Sequence, residues 1–344
     1  MTPFSAAIDL LPTPPLTWTV TGAAGFIGSN LVEALLLGGQ RVVGLDDFST
    51  GYRRNLDAVR EAVGDAAAER FSFIEGDVCD LDVCHQAVSG SDVVLHQAAL
   101  GSVPRSIQTP LRTHAANVDG FVNMLVAARD AGVGRFVYAS SSSVYGDHPG
   151  LPKVEDAIGT PLSPYAVTKR TDELYARTFF DHYGLETVGL RYFNVFGPRQ
   201  DPAGAYAAVI PRWISTLLDG ERCAIHGDGE TSRDFCFVAN VVQANVRAAL
   251  APAQAAGDVY NVAVGDRTTL DELHDHLVSL LVERGELGAT RRPAYGPFRA
   301  GDVRHSLADI SRASQRLGYE PTHTLLEGLE VALGYYIHEA RSTV

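Results

Sequence analysis

Thr17-Trp18-Thr19-Val20-Thr21-Gly22-Ala23-Ala24-Gly25-Phe26-Ile27-Gly28 is the stretch that decides how this chain folds. Thr17–Thr21 is β-branched and aromatic, the composition of a short buried strand. Ile27–Leu37 then sets apolar residues at helical spacing. Between them the glycines, spaced G-x-x-G-x-x-G, let the backbone turn sharply and approach a pyrophosphate. The helix start adds free N–H groups and partial positive charge. A strand-to-helix turn with no ligand uses the same residues, so this stretch alone leaves both readings open.

The neighbouring sequence repeats the pattern. Strands are read at Val42–Asp46, Phe71–Gly76, Val93–Gln97, Phe136–Ser140 and Thr187–Arg191, with helical spacing in Val118–Ala131 and again from Ser163. Strict alternation of strand and helix predicts an α/β fold with a doubly wound parallel sheet. After residue 197 the pattern loosens, with Gly, Pro and Asp clustered in Gly197–Gly204, Gly227–Gly229 and Pro293–Gly301. Residues 1–197 are therefore expected to form the nucleotide-binding unit, with late returns from the C-terminal half. Residues 198–344 are expected to form mainly a smaller substrate-binding lobe.

Composition narrows the partners. The 344 residues carry 28 Lys+Arg against 41 Asp+Glu, a net charge of −13, and are 46% hydrophobic. Such a chain builds a large core. Its pI of about 5.2 argues against nucleic acid and anionic membranes, which draw on Lys and Arg. No apolar run approaches the ~20 residues of a membrane helix. Met1–Leu16 has no basic residue and holds Pro12, Pro14 and Pro15, so neither a leader nor an anchor is expected there. Cys79, Cys84, Cys223 and Cys236, at spacings of five and thirteen, fit neither a disulfide framework nor a metal site. Reduced thiols in a cytoplasmic protein are the expectation.

Asp46 ends the second strand, eighteen residues after Gly28. A carboxylate there accepts ribose hydroxyls and repels a 2′-phosphate, which favours NAD over NADP; neighbouring Arg53 and Arg54 are the counter-signal. Asp77 closes the third strand and is placed to meet an adenine edge, with Val78 beside it, and Asp47 flanks Asp46. Gln97-Ala98-Ala99 ends the fourth strand with mostly small side chains, as a nicotinamide passage requires. Each acid alone also fits a solvated strand end.

Tyr165-Ala166-Val167-Thr168-Lys169 puts a phenol and an ammonium on one helix face. A phenol of pKa near 10 is a poor base at neutral pH. An adjacent ammonium and a cationic nicotinamide both favour phenolate, tuning Tyr165 for proton transfer. The pair alone also occurs as an ordinary surface pair. It follows Ser140-Ser141-Ser142-Ser143-Val144-Tyr145-Gly146, whose serines either share a substrate proton or form a plain turn.

These residues together resemble the extended short-chain dehydrogenase/reductase family, a Rossmann fold, along essentially the whole chain. The narrower likeness is to UDP-hexose 4-epimerases that act on N-acetylated sugars for surface polysaccharides. It is carried by Leu95-His96-Gln97-Ala98-Ala99-Leu100-Gly101-Ser102-Val103-Pro104-Arg105-Ser106, Tyr192-Phe193-Asn194-Val195-Phe196-Gly197, Ala205-Tyr206-Ala207-Ala208-Val209-Ile210-Pro211 and Gly227-Asp228-Gly229-Glu230-Thr231-Ser232-Arg233-Asp234-Phe235. The resemblance implies tightly held, recycled NAD on Gly22, Gly25, Phe26, Ile27, Gly28, Asp46, Asp47, Asp77, Val78, Gln97, Ala98, Ala99, Tyr165 and Lys169. It implies catalysis by Tyr165, Lys169 and Ser142, with Ser141 and Ser143 as alternatives to the serine. It also implies a UDP-sugar held by Gly101, Ser102, Ser142, Ser143, Asn194, Ala208, Val209, Arg233, Arg299, Asp302 and Ser306. By the same likeness the helices at Val118–Ala131 and Ser163–Tyr183 make a four-helix homodimer interface.

Reaction and substrate are separated by departures from that pattern. Related 4,6-dehydratases carry an Asp-Glu pair, and UDP-glucuronate decarboxylases a Glu, just before the tyrosine of Val144-Tyr145-Gly146; here Ser142 and Ser143 stand there. Ser306, Gly101 and Ala208 replace bulkier or more polar residues of the glucose-type enzymes, which enlarges the pocket for an acetamido sugar. The expected reaction is interconversion of UDP-N-acetylglucosamine and UDP-N-acetylgalactosamine, with UDP-glucose as a second substrate. UDP-glucuronate or UDP-N-acetylglucosaminuronate is the rival, with Arg105 or His305 meeting the carboxylate.

Overall fold

The computed structural model describes residues 2–201, 208–288, 292–298 and 303–342. Seven strands form the central sheet: β1 (Thr17–Thr21), β2 (Arg41–Asp46), β3 (Phe71–Glu75), β4 (Val93–His96), β5 (Arg135–Ser141), β6 (Thr187–Tyr192) and β7 (Asp258–Val262). Their order is β7-β6-β5-β4-β1-β2-β3 and every pairing is parallel. The expected doubly wound α/β sheet is thus present. The order reverses between β1 and β4, where the chain ends of adjacent strands diverge and leave a crevice.

Period-two alternation feeds a core on each face of the sheet. Trp18, Val20, Val93, Leu95, Val137, Val188 and Leu190 enter one core. Leu45, Val94, Phe136 and Tyr138 enter the other. The helices that follow the strands include α1 (Phe26–Leu37), α2 (Arg53–Val63), α3 (Leu81–Val88), α4 (Gly120–Asp130) and α5 (Pro164–Tyr183). The helix read at Val118–Ala131 begins earlier. An α-turn at Pro110–His114 runs into a π-turn at Ala115–Asp119 before α4.

Farther along come α6 (Val209–Leu218), α7 (Val238–Leu250), α8 (Leu270–Glu283) and α9 (Leu325–Ser342). The buried residues of α7 join the first core, and β7 adds the seventh strand, so Val238–Val262 belongs to the sheet layer. Three two-stranded pieces complete this half: Val195–Phe196 with Cys236–Phe237, Ser232–Arg233 with Thr268–Thr269, and Ala224–His226 with Ala294–Gly296. No helix among the described residues is long and apolar enough to cross a membrane.

Candidate active site

The glycine turn fills the crevice between β1 and β4. Gly22 has φ +66, and a Cβ on it would stand 2.9 Å from the Ala98 nitrogen. A Cβ on Gly28 would stand 2.0 Å from the Gly22 carbonyl oxygen, so no other residue closes this turn. Gly25 caps α1 without a side-chain bond, leaving its first-turn N–H groups pointing into the crevice.

These residues open on a cleft of about 430 Å³. Gly22, Gly25, Phe26, Ile27, Gly28, Asp46, Asp47, Asp77, Val78, Gln97, Ala98 and Ala99 all wall it. Gly101, read from sequence as a substrate contact, stands at the end of the same cleft. Ser49, Thr50, Leu100, Ala116 and Gln200 wall it too, and sequence reasoning missed them. Gln200 comes from a distant loop, and no local motif marks it.

Asp46 is buried, and burial raises its carboxyl above the usual range. Its Oδ2 accepts the Ala24 N–H at 2.9 Å and its Oδ1 the Phe48 N–H at 2.8 Å, so it also fastens the glycine turn to β2. The two arginines have other partners. Arg53 pairs with Glu75 at 2.9 Å and lies over the Phe48 ring, while Arg54 lies over the Tyr52 ring. Asp77 accepts the Cys79 N–H, and the Gln97 amide is taken up by Asn245 and Tyr192, leaving its backbone to face the cleft. A buried carboxylate, a cradle without Cβ atoms and open helix N–H groups fit NAD better than a 2′-phosphorylated dinucleotide.

Helix α5 carries Tyr165 and Lys169. Ser163 caps it by accepting the Ala166 N–H, Pro164 occupies its first position, and Gly184 ends it in the left-handed region. Tyr165 is half-buried and Lys169 is buried. Lys169 Nζ donates to the Ala139 carbonyl at 2.9 Å and to Asp172 Oδ2 at 3.2 Å. Glu173 docks the helix: it receives Arg191 at 2.8 and 2.9 Å, Arg170 at 2.9 Å and the Ser140 hydroxyl at 2.6 Å.

The serine strip divides by its bonds. Ser140 is committed to Glu173, and Ser141 Oγ accepts the Ser143 N–H as the cap of the 3-10 turn Ser142–Tyr145. The Ser142 hydroxyl, half-buried, has no hydrogen-bond partner among the described residues, and Ser143 Oγ is buried without one. The Ser142 hydroxyl is therefore free for a substrate, while that of Ser143 is enclosed. His96 packs between Phe121 and Phe136, with burial and the Lys169 charge pushing it down to about 3, so it is a neutral neighbour.

Asn117, unmarked in sequence reasoning, joins cleft and helix. Its Oδ1 accepts the Leu100 N–H at 2.7 Å and its Nδ2 donates to Thr168 Oγ1 at 3.0 Å. It lies in the π-turn, which widens the helix there. The cofactor cleft and the Tyr165–Lys169 segment are thereby tied through one buried amide.

A second cleft, of about 270 Å³, is walled by Asn194, Ala208, Val209 and Arg233 together with Arg212, Trp213, His226 and Thr231. Asn194 donates to the Asp234 carbonyl, and Arg233 to the Ser232 and Arg304 carbonyls. Trp213 sits on α6 at a position its apolar periodicity assigns to packing, which is why sequence reasoning passed over it, and no local motif marks Arg212. Ser306 pairs by its backbone with Ser232; it and Ser102, Ser142, Ser143, Tyr165 and Lys169 are not among the residues walling either cleft. Ser102 holds φ +145 while its hydroxyl caps the short helix Val103–Gln108. Arg299, Asp302 and the run Ala205-Tyr206-Ala207 lie outside the described residues.

Known proteins share this arrangement. The model of the NAD dependent epimerase/dehydratase family matches residues 18–263. A UDP-glucose 4-epimerase of Mycolicibacterium smegmatis is 40% identical over 324 residues, covering 94% of this chain and 99% of that protein. A UDP-N-acetylglucosamine 4-epimerase from Methanobrevibacter ruminantium, solved with UDP-N-acetylmuramic acid, superposes with a TM-score of 0.85 at 36% identity, covering 94% and 99% of the two chains. A UDP-glucuronic acid 4-epimerase from Bacillus cereus, solved with UDP-glucuronic acid and NAD, gives 0.83 at 30% identity, covering 94% and 100%. On a fold whose crevice holds a glycine cradle and a buried strand-end carboxylate, the chain belongs to the NAD dependent epimerase/dehydratase family and is an NAD-dependent enzyme.

Proposed function

We propose that this enzyme is a UDP-sugar 4-epimerase that interconverts UDP-N-acetylglucosamine and UDP-N-acetylgalactosamine through a 4-keto sugar. The observation that carries the reading is the coupling of the cofactor cleft to the Tyr165–Lys169 helix through Asn117, beside hydroxyls rather than a carboxylate pair. Elimination of water needs an acid and base at the strip; inversion at C4 needs only proton transfer at one oxygen. NAD, held by the glycine turn and Asp46, accepts the C4 hydride and returns it. Tyr165 takes the proton of the 4-hydroxyl and gives it back, with Ser142 sharing it. Lys169, whose ammonium has one N–H beyond its two bonds, favours the phenolate and holds the nicotinamide ribose. Asn194 and Arg233 grip the diphosphate, Arg by its planar fork.

Room at the sugar supports the acetamido substrate. A Cβ on Gly101 would meet nothing within 4 Å, and Ala208, on the second cleft, is short. A uronate is the second reading, supported by the likeness to the Bacillus cereus enzyme. It is weakened because His305 shares a hydrogen bond with Ser232 at 2.9 Å and is held below its ordinary pKa by burial, then by Arg267, Arg304 and Arg233. The exposed apolar stripe of α5 supports a homodimer built on that helix.

Proton NMR of the anomeric region, with purified protein and no added NAD, tests the substrate. UDP-N-acetylglucosamine is expected to give the galacto signal fastest, ahead of UDP-glucose and UDP-glucuronate in parallel tubes. Change in the glucuronate tube alone overturns the pocket argument and leaves the mechanism standing. No change in any tube, even with NAD supplied, overturns the epimerase assignment.

A further inference from the structure

Two adjacent carboxylates on α5 are fully buried, and they are used differently. Glu173 has both oxygens engaged by Arg191, Arg170 and Ser140, and those bonds hold its carboxyl below the usual range despite burial. It is sufficient to dock the helix on β5 and β6. Among the described residues Asp172 has one partner, Lys169 Nζ at 3.2 Å, and its Oδ1 has none. A buried carboxylate oxygen without a donor is costly and calls for a reason. The docking of the helix does not provide one.

We propose that Asp172 is a positioning residue for the Tyr165–Lys169 pair: it holds the Lys169 ammonium against the Ala139 carbonyl, and by gaining or losing its own proton it sets how much positive charge acts on the Tyr165 phenol. The proposal rests on the catalytic reading of Tyr165 and Lys169 given above. With Asp172 ionised, the ammonium is partly neutralised and the phenolate is less favoured; with Asp172 protonated, the full charge favours phenolate. Burial pushes the Asp172 carboxyl up to about 7, against the pull of Lys169.

The surroundings leave this exchange between few groups. On α5 itself the charges bearing on Asp172 are Lys169 and Glu173. From β5 comes Tyr138, whose phenol burial and then the two carboxylates push upward; it stays protonated. From β4 comes the neutral His96, and from β6 Arg191, already paired with Glu173. The 3-10 turn brings Tyr145, whose phenol is raised to about 12. The buried residues of the segments 103–130 that also pack on α5 are uncharged, among them Ser106, Thr113, Asn117 and Phe121. Among the described residues, Lys169 is therefore the cation for which Asp172 is placed.

The test uses NAD-loaded enzyme and Asp172→Asn, which keeps an acceptor for Nζ and removes the charge. The acid limb of the kcat/KM pH profile is expected to move down by about one unit. It is also expected to steepen to a single ionisation, because the unaltered limb is stretched over two coupled groups. Tyrosinate absorbance, taken as the difference from Tyr165→Phe, is expected to move by the same amount without any turnover being needed. Asp172→Leu, which removes the acceptor as well, is expected to lose at least about tenfold in kcat where the Asn variant stays within about threefold. Should the Asn variant not fold, Asp172→Ser reads the same shift. A profile and an absorbance midpoint superimposable on those of the unaltered enzyme overturn the proposal. If Tyr165→Phe retains full turnover, the catalytic reading itself has failed, a distinct outcome.

Discussion

Tyr165 is the residue on which the chemistry turns, and its replacement separates binding from catalysis. Tyr165→Phe removes one oxygen from a half-buried ring and leaves the glycine turn, Asp46 and Lys169 untouched. Its kcat is expected to fall by about 10²–10⁴-fold, the usual worth of a positioned acid–base group. The purified variant is expected to keep its NAD, read from the absorbance of nucleotide released on denaturation. Turnover near that of the unaltered enzyme contradicts the role. The residues legible in the sequence were those whose requirement is local. Gly22 and Gly28 must lack side chains because the backbone meets itself there, and Tyr165 and Lys169 share a face by spacing alone. Asn117, Gln200 and Trp213 were not legible, because each acquires its place from a segment distant in sequence.

Helix α5 shows what an element reveals before its structure is known. Its N-terminal serine, first-position proline and C-terminal glycine are local signals, and the helix begins and ends on them. Its partners are not local. Val167 and Leu174, seven residues apart, are 51% and 54% exposed, and Tyr175 is 41% exposed, an apolar stripe a lone subunit leaves wet. Leu174→Glu puts a charge in that stripe and is expected to convert a dimer to monomer, measured by light scattering on the eluting protein. A mass unchanged by the substitution, or a monomer before it, excludes this face. The strand β7 was the element missed. Asp258-Val259-Tyr260-Asn261-Val262 is short and arrives after helix α7 and the alanine-rich run 250–256. Its strand character comes from pairing with β6, a contact no window of sequence contains. The π-turn at Ala115–Asp119 was missed for a similar reason, since its wider pitch answers to Asn117 bonding both Leu100 and Thr168.

Across the whole molecule, buried acids set how stability follows pH. Asp172 and Asp234 are both fully buried; burial raises Asp172 to about 7 and Asp234 to about 6. Asp234 accepts the N–H groups of Val264, Gly265 and Ala308, tying the chain after β7 to the segment beyond residue 303. Replacing it removes those bonds, so its titration is not cleanly read by substitution. Asp172 has no such backbone bonds, and Asp172→Asn isolates its proton. A carboxyl raised in the folded state binds its proton more tightly there than in the unfolded chain, where its pKa is about 3.9. Its contribution to stability is therefore full below about pH 4 and is lost as pH rises toward about 7. The Asn variant has no proton to lose. The difference in Tm between Asp172→Asn and the unaltered protein is thus expected to shift in favour of the variant across that window and to level off above it. Scanning calorimetry of both proteins at matched salt checks this. A difference independent of pH means that the buried carboxyl ionises as readily folded as unfolded, which one hydrogen bond from Lys169 does not account for.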